Sequence, residues 1–561
     1  AGILDKLVPL HTFGSLTTIP KASGLFPSQP GRTTKDEQTG LRNSLRLASS
    51  LPFPTGPQYR AVAGARAGPR TPVYSLVRNG GSYMFAVRRR ADGHAILFNG
   101  PQLGFSAPEK IVELEVHAPG LDARGLTAPG APIIGAGHNG RVAWSITTGA
   151  SDTDDLYAEK LVHGQPERYL FQGRVLSMDC RDEVINFNFP PANLTQILKG
   201  KVPPSPGSVT RRVCRTIHGP VEARAGDVAY ARRYAAWGRE LETLQGLAEI
   251  NAARNLGDVD RGARHVTWNE NVIAIDSGGH IGYWHPGLFP LRPRNWDERL
   301  PFPGTGEAEW RGLLSRSQIP AVIDPKQGWL ANWNNLPSAS WTAGDGTARK
   351  RMDGNSFRVT LLFPLVQALA RNPTFEGAQD VVRHVGTVAQ QRPATDAALR
   401  RAALGATGGA ATVLHTLVSW DGSYARVDAN NTVDPGVAAW DAFRTAAAKR
   451  AIAPLGSGAQ WLADENVLQP LHPDYHPGAP YHYFDSSHFQ SYALRSLSMP
   501  GYRAAAQDAF AALSTRFGTG NAAAWREPRR MFDFSGLAGA SPPPLPFFDR
   551  GTYEQFIETG P

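Results

Sequence analysis

Cysteine is nearly absent from this 561-residue chain. Cys180 and Cys214 are its only two, too few for a disulfide scaffold or a cysteine-type metal site. Both lie in strand-like stretches, 174–186 and 209–217, that can pair as neighbours, so one disulfide is expected and two separate buried thiols are the alternative. A single disulfide suits an exported protein. Lysine is scarce too, with ten residues, so arginine carries the basic side of the +9 formal charge, 58 Lys+Arg against 49 Asp+Glu. The arginines are scattered rather than striped among aromatics, which argues against a nucleic-acid partner and for a solvated basic face. No apolar run approaches the ~18 residues of a membrane span; the longest, near Leu361–Ala370 and Ala131–Ala136, are short and broken by Pro or Gly. Neither an initiator Met nor a charged-then-apolar leader opens the chain at Ala1, so it reads as a mature product or a piece of a longer precursor.

What is present falls into three stretches. Residues 1–81 are rich in Pro, Gly, Ser and Arg, with no sustained period of 3.6 or 2, and read as a linker or removable spacer. From Ser82 the pattern is that of strands: Ser82–Arg89, a turn at Ala91-Asp92-Gly93, then Ala95–Phe98, followed by Arg141–Thr147 and a second hairpin, Val272–Ile275 with Ile281–Trp284. Beyond Asn355 the period turns helical, over 357–370 (kinked at Pro364), 378–390, 397–404, 437–451 and 504–517. Strands first and helices later, without regular βαβ alternation, predict α+β layers.

The common catalytic signatures are missing: no G-x-S-x-G elbow, H-E-x-x-H helix, phosphate-binding loop or dinucleotide fingerprint occurs. Four segments carry something specific in combination. They are Asn79-Gly80-Gly81-Ser82-Tyr83, where the spacer-like composition gives way to a strand; Asn99-Gly100-Pro101-Gln102-Leu103; Gly135–Asn139 running through Val142–Thr148 to Asp152-Thr153-Asp154-Asp155; and Trp268-Asn269-Glu270-Asn271, continuing through Gly282-Tyr283-Trp284-His285 to 299–306. A serine hydroxyl needs a base to take its proton, and an α-amine, which ordinarily titrates at about 7.7–8.0, is substantially neutral near pH 7.5. A serine freed at a chain terminus therefore carries its own base, and a Gly-Gly-Ser junction does not crowd the bond that must be cut.

In this order, and with Trp329–Asn335 and Arg550-Gly551-Thr552 further on, the segments resemble the β chain of the penicillin acylase family of N-terminal-nucleophile (Ntn) hydrolases. The resemblance implies an α+β fold, the Ntn-hydrolase αββα four-layer sandwich with additional helical and β insertions. It makes 1–81 a removable α-chain remnant and spacer and 82–561 the β chain, with a helical insertion over 356–520. It implies autocatalytic cleavage of Gly81–Ser82 and an N-terminal serine amidohydrolase acting on a linear N-acyl amide, such as a β-lactam, acyl-homoserine lactone or lipopeptide. An acyltransferase using the same acyl-enzyme, or a silent unprocessed homologue, is the alternative.

Carried over motif by motif, Ser82 is the nucleophile, Asn271 and the Thr148 N–H form the oxyanion hole, Gln102 meets the nucleophile through its main chain, and Arg292 supports the asparagine. Asp152 and Asp155, with the Asp154 carbonyl, would hold a structural Ca²⁺, as hard oxygens suit. Leu103, Ala136 and Ala150 fall where phenylacetyl-specific relatives line the acyl pocket with rings, predicting a different acyl group. The implied partners are a small-molecule substrate and an α chain from the same precursor, in a secreted or periplasmic setting. His472, His476, His482 and His488 read as a loop cluster rather than a zinc site, because Pro473 and Pro477 break any helix and no partner motif accompanies them.

Overall fold

The computed structural model describes residues 34–52, 81–89, 91–103, 110–149, 151, 153–187, 206–298, 300–335, 337–338, 358–390, 392–453, 497–529, 531–532, 545–546 and 552–560. The chain is α+β. One sheet has four strands in the order β18 (Trp329–Asn332), β1 (Gly81–Arg89), β2 (His94–Gln102) and β21 (Gln555–Thr559), so the strand carrying Ser82 is paired on both edges. A second has seven, in the order β17 (Ala321–Ile323), β15 (Ile281–Trp284), β14 (Glu270–Asp276), β6 (Val142–Thr148), β5 (Ala136–His138), β4 (Leu121–Thr127) and β3 (Val112–Ala118).

Strand alternation sorts the core. Tyr83, Phe85 and Val87 of β1 pack with Ile96 and Phe98 against α4 (Arg358–Leu369) and α5 (Phe375–Thr387), through Val359, Leu362, Val366 and Val382. Met84 and Ala86 face the other way, onto Ala143, Ile273, Ile275 and Tyr283 of the seven-stranded sheet. That sheet's far face, with Trp144, Val272 and Trp284, is covered by α2 (Glu240–Asn251) and α3 (Leu256–His265) through Ile250, Leu256 and Val259. Because side chains alternate with period 2, Ser82 points with Met84 toward the second sheet, and Asn271 points with Ile273 back toward it.

A third sheet runs β10 (Asp179–Phe187), β11 (Gly207–Thr216), β12 (Gly219–Ala225), β13 (Val228–Tyr234), β7 (Asp154–Val162), β8 (Gln165–Phe171), β9 (Arg174–Ser177), with β16 (Phe302–Pro303) beside β7. Cys180 and Cys214 stand opposite each other on β10 and β11 and form the expected disulfide. A separate helical core is built on α6 (Arg392–Ala403), α7 (Gly408–Ser419), α8 (Pro435–Ile452) and α9 (Met499–Phe517), and β19 (Met531–Phe532) pairs with β20 (Leu545–Pro546). Among the described residues no helix is long and apolar enough to cross a membrane.

One expectation is corrected here. Residues 34–50, read as part of a spacer, form helix α1 (Thr34–Ser50). It docks by small residues rather than an apolar stripe. Gly40 lies so close to the Trp296 backbone that a Cβ would meet it at 3.1 Å, Ser44 Oγ accepts from the Asp297 N–H at 2.8 Å, and Asn43 Nδ2 donates to the Asn295 carbonyl at 3.0 Å. Gly40 and Ser44, four residues apart, share one helix face, and neither is an apolar residue that would mark that face as buried.

Candidate active site

Ser82 is 5% exposed at the start of β1. Its Oγ accepts from the main-chain N–H of Gln102 at 3.3 Å, so Gln102 does meet the nucleophile through its backbone. The Gln102 side chain turns away, its Oε1 accepting from Trp333 Nε1 at 3.0 Å. The Ser82 main-chain nitrogen donates to Asn334 Oδ1 at 3.2 Å. Asn334 sits at a φ of 58°, a left-handed conformation that asparagine tolerates better than most residues. The turn after β18 is held by its own amides: Asn334 N–H donates to Asn332 Oδ1 at 2.8 Å and Trp333 N–H to Asn335 Oδ1 at 2.8 Å. Thr552 closes the far side, its N–H donating to the Pro101 carbonyl at 2.6 Å and its Oγ1 accepting from Leu103 N–H at 2.9 Å.

Asn271 is fully buried. Its Nδ2 donates to Thr147 Oγ1 at 3.1 Å and to the Thr148 carbonyl at 3.0 Å, and that carbonyl also accepts from Asn334 Nδ2 at 3.0 Å. Ser82 and Asn271 are thus joined by one path of three hydrogen bonds through Asn334 and Thr148. Gly149 N–H donates to the Asn269 carbonyl at 2.9 Å, which makes that pair a hydrogen-bonded one. Alternation then leaves the Thr148–Glu270 pair off the ladder, with the Thr148 N–H and C=O turned away from β14. An N–H off the ladder beside a carboxamide donor is what an oxyanion hole needs.

The surroundings of Asn271 are uncharged. His285 is buried, and desolvation takes its pKa down to about 3, so the imidazole is neutral across physiological pH. Glu270, on the opposite face of β14, is pushed by desolvation up to about 8, toward its neutral form. Neither residue places an anion where one would oppose a developing oxyanion.

Arg292 departs from expectation. It was to support Asn271, but its Nε donates to Asp155 Oδ2 at 2.7 Å and its Nη2 to the Asp154 carbonyl at 3.2 Å. Asn271 Oδ1 is held instead by Tyr283 Oη at 2.6 Å and His285 Nδ1 at 2.7 Å. The same arginine bears on the expected calcium ion. Asp155 Oδ2 also accepts from Trp310 Nε1 at 2.6 Å, the Asp154 carboxylate pairs with Arg232, and Asp152 lies outside the described residues. The two described donors expected to face a dication thus contact the buried Arg292 guanidinium. Among the described residues the one group of three metal-type ligand atoms is Glu167, Cys180 and Cys214, and its sulfurs are bonded to each other.

The Arg292–Asp155 pair is 0% and 1% exposed at its side chains. Arg292→Met is expected to cost about 3 kcal/mol of unfolding free energy, read by denaturant titration, by stranding a buried carboxylate. The calcium expectation is tested by exhaustive chelation: a fall of several degrees in the thermal midpoint would place the ion at this loop, and an unchanged midpoint would remove it.

Of the expected pocket residues, Leu103 is exposed directly after Gln102, Ala136 is buried at the start of β5, two strands from Asn271, and Ala150 is outside the described residues. So are the four histidines at 472–488 and Arg550-Gly551. Asn269, Tyr283, His285, Asn332 and Asn334 were not singled out from sequence. They lie inside motifs that were, and the clustering of asparagines at strand ends is the signal that points to them.

The penicillin amidase family model matches residues 18–554. The chain belongs to that family. Its relatives include penicillin G acylase of Escherichia coli, 31% identical over 366 residues, covering 64% of this chain and 41% of the relative. Another is the acyl-homoserine lactone acylase QuiP of Pseudomonas fluorescens (strain Pf0-1), 28% identical over 284 residues, covering 47% and 32%. The chain therefore spans about two-fifths or less of these two curated family members. Among solved structures, a thermostable penicillin G acylase from Alcaligenes faecalis superposes with a TM-score of 0.66 at 23% identity, covering 85% of this chain and 88% of that one, which speaks for the fold.

Proposed function

We propose that this penicillin amidase family chain is an Ntn amidohydrolase of the αββα type, activated by autocatalytic cleavage of Gly81–Ser82. The observation that carries the reading is the convergence on Ser82 of the Gln102 N–H, the Asn334 carboxamide and, through Thr148, Asn271. In this mechanism the freed α-amine takes the Ser82 hydroxyl proton as Oγ attacks the acyl carbonyl. Asn334 Oδ1, which accepts from the Ser82 nitrogen, orients that amine so that its lone pair faces Oγ. The tetrahedral oxyanion is met by the Thr148 N–H and by Asn271 Nδ2, one of whose two hydrogens swings off the Thr148 carbonyl or Thr147 Oγ1 to reach it. The α-ammonium then protonates the leaving amine, the C–N bond breaks, and water, deprotonated by the same amine, releases the acid.

The substrate class is a linear N-acyl amide. Leu103, Ala136 and Ala150, in place of rings, favour an acyl group other than phenylacetyl. The disulfide favours a secreted or periplasmic setting, and docked α1 favours a processed segment that stays bound to the β chain. Intact-mass measurement with a panel of acetyl, hexanoyl, decanoyl and phenylacetyl p-nitroanilides tests the proposal. A fragment beginning at Ser82 and hydrolysis favouring an aliphatic chain are expected. One uncut species with no turnover would sink the enzyme reading, and equal turnover of phenylacetyl and aliphatic amides would sink the pocket reading.

A further inference from the structure

A carboxamide serves as an oxyanion donor only if its NH₂ end faces the reacting carbonyl. Oxygen and nitrogen of an asparagine are nearly the same size, so shape alone does not choose between the two orientations. In this protein the choice can be traced to main-chain groups, whose donor and acceptor roles are not in question.

The chain of constraints begins at Asn269. The Ser151 main-chain N–H can only donate, and it lies 2.6 Å from Asn269 Oδ1. The Pro286 carbonyl can only accept, and it lies 3.2 Å from Asn269 Nδ2. Asn269 is thereby fixed with its NH₂ end toward His285 Nε2, 3.2 Å away. Facing that donor, Nε2 must be the acceptor nitrogen, and the Ser151 hydroxyl, 2.8 Å from it, donates to it as well. A neutral imidazole carries one proton, so it resides on Nδ1. Nδ1 points at Asn271 Oδ1, 2.7 Å away, and Tyr283 Oη reaches the same oxygen at 2.6 Å. With two donors on its oxygen, Asn271 turns its NH₂ end to the Thr148 carbonyl, which Asn334 shares on the Ser82 side. A flip would oppose the Tyr283 and His285 donors with a third donor and set oxygen against oxygen at Thr148. Stranding such buried groups costs about 1–3 kcal/mol each.

We propose that Asn269, His285 and Tyr283 are positioning residues that hold the Asn271 carboxamide with its NH₂ end toward Ser82. The order Ser151–His285–Asn271 has the spacing of a hydrolase triad, but Ser151 and His285 are 3% and 0% exposed. The array acts by orienting an amide and delivers no nucleophile of its own. The inference rests on the proposed function for its catalytic consequence, not for its geometry.

The test has an arm for each part. On the p-nitroanilide that the unaltered chain hydrolyses best, His285→Phe, which keeps a ring against Phe289, is expected to lower kcat roughly 10- to 100-fold with KM within about threefold. His285→Gln, which restores a donor, should recover part of the loss. Added to Asn271→Ala, neither His285→Phe nor Tyr283→Phe should lower kcat further, because both act through Asn271. A further tenfold loss in the double variant would overturn the proposal. If His285→Phe fails to fold, Tyr283→Phe, which removes one hydroxyl, carries the same cycle. Independently of activity, nitrogen NMR of histidine-labelled protein should show His285 neutral and protonated on Nδ1; protonation on Nε2 would overturn the relay even in an active enzyme. An unaltered chain that is uncut and inactive, yet has the Nδ1 tautomer, would leave the geometry standing and refute the function.

Discussion

Ser82→Ala is expected to lower acyl-amide hydrolysis by on the order of 10⁴-fold or more and to leave the chain as one 60.6 kDa species. Both effects have one cause. The hydroxyl that attacks substrate is the atom that must first attack the Gly81 carbonyl, so the variant lacks the nucleophile for either reaction. The fold should survive, because the Ser82 Oγ makes one 3.3 Å contact with the Gln102 N–H, a net loss of about 1 kcal/mol. Mass spectrometry of the purified variant, with circular dichroism as the fold control, reads the result. Cleavage that continued in Ser82→Ala would mean that another group cuts the chain, and the N-terminal-nucleophile mechanism would be lost.

Asn271→Ala should separate chemistry from folding in a different way. Removal of one oxyanion donor typically costs about 10²–10³ in kcat, and KM should move little because the ground-state carbonyl makes weaker use of that donor. Processing at Gly81–Ser82 passes through a similar oxyanion, so the variant should mature slowly rather than not at all. The thermal midpoint should also fall, since Tyr283 Oη and His285 Nδ1 would both lose their shared acceptor in a buried site. Steady-state kinetics on processed material and a time course of intact mass check both halves. An unchanged kcat would remove Asn271 from the oxyanion hole.

Much of this arrangement was legible in the sequence because its signals are local. The hairpin Ser82–Arg89 with Ala95–Phe98 announces itself by alternation around Asp92-Gly93, and β1 and β2 pair in that register. Cys180 and Cys214 lie in stretches that alternate like strands, and they face each other across β10 and β11. Ser82, Gln102, Thr148 and Asn271 come from motifs that survive in order, and the structure gathers all four. Asn334 escaped attention because it stands 252 positions from Ser82, and only the β1–β18 pairing brings it near. Arg292 was assigned the wrong neighbour for the same reason: Asp155 is 137 positions away, and a motif says which side chain is present but not which way the loop after β15 turns. Helix α1 is hard to read for a different reason, since its buried face is built on Gly40 and Ser44, residue types that do not stand out within a Gly- and Ser-rich stretch. Local pattern reads strands and turns well; buried polar networks follow from tertiary register, which no window of sequence contains.

The place of β1 has a practical consequence. It is an inner strand, with β18 on one edge and β2 on the other, and Ser82 at its start is 5% exposed. A terminus created there would be an interior one. Exopeptidases, which need an extended free end, could not trim it while the protein stayed folded. An end left untrimmed by native exopeptidase digestion would therefore say nothing about maturation, and sequencing of the unfolded chain would show whether the first residue is Ser82.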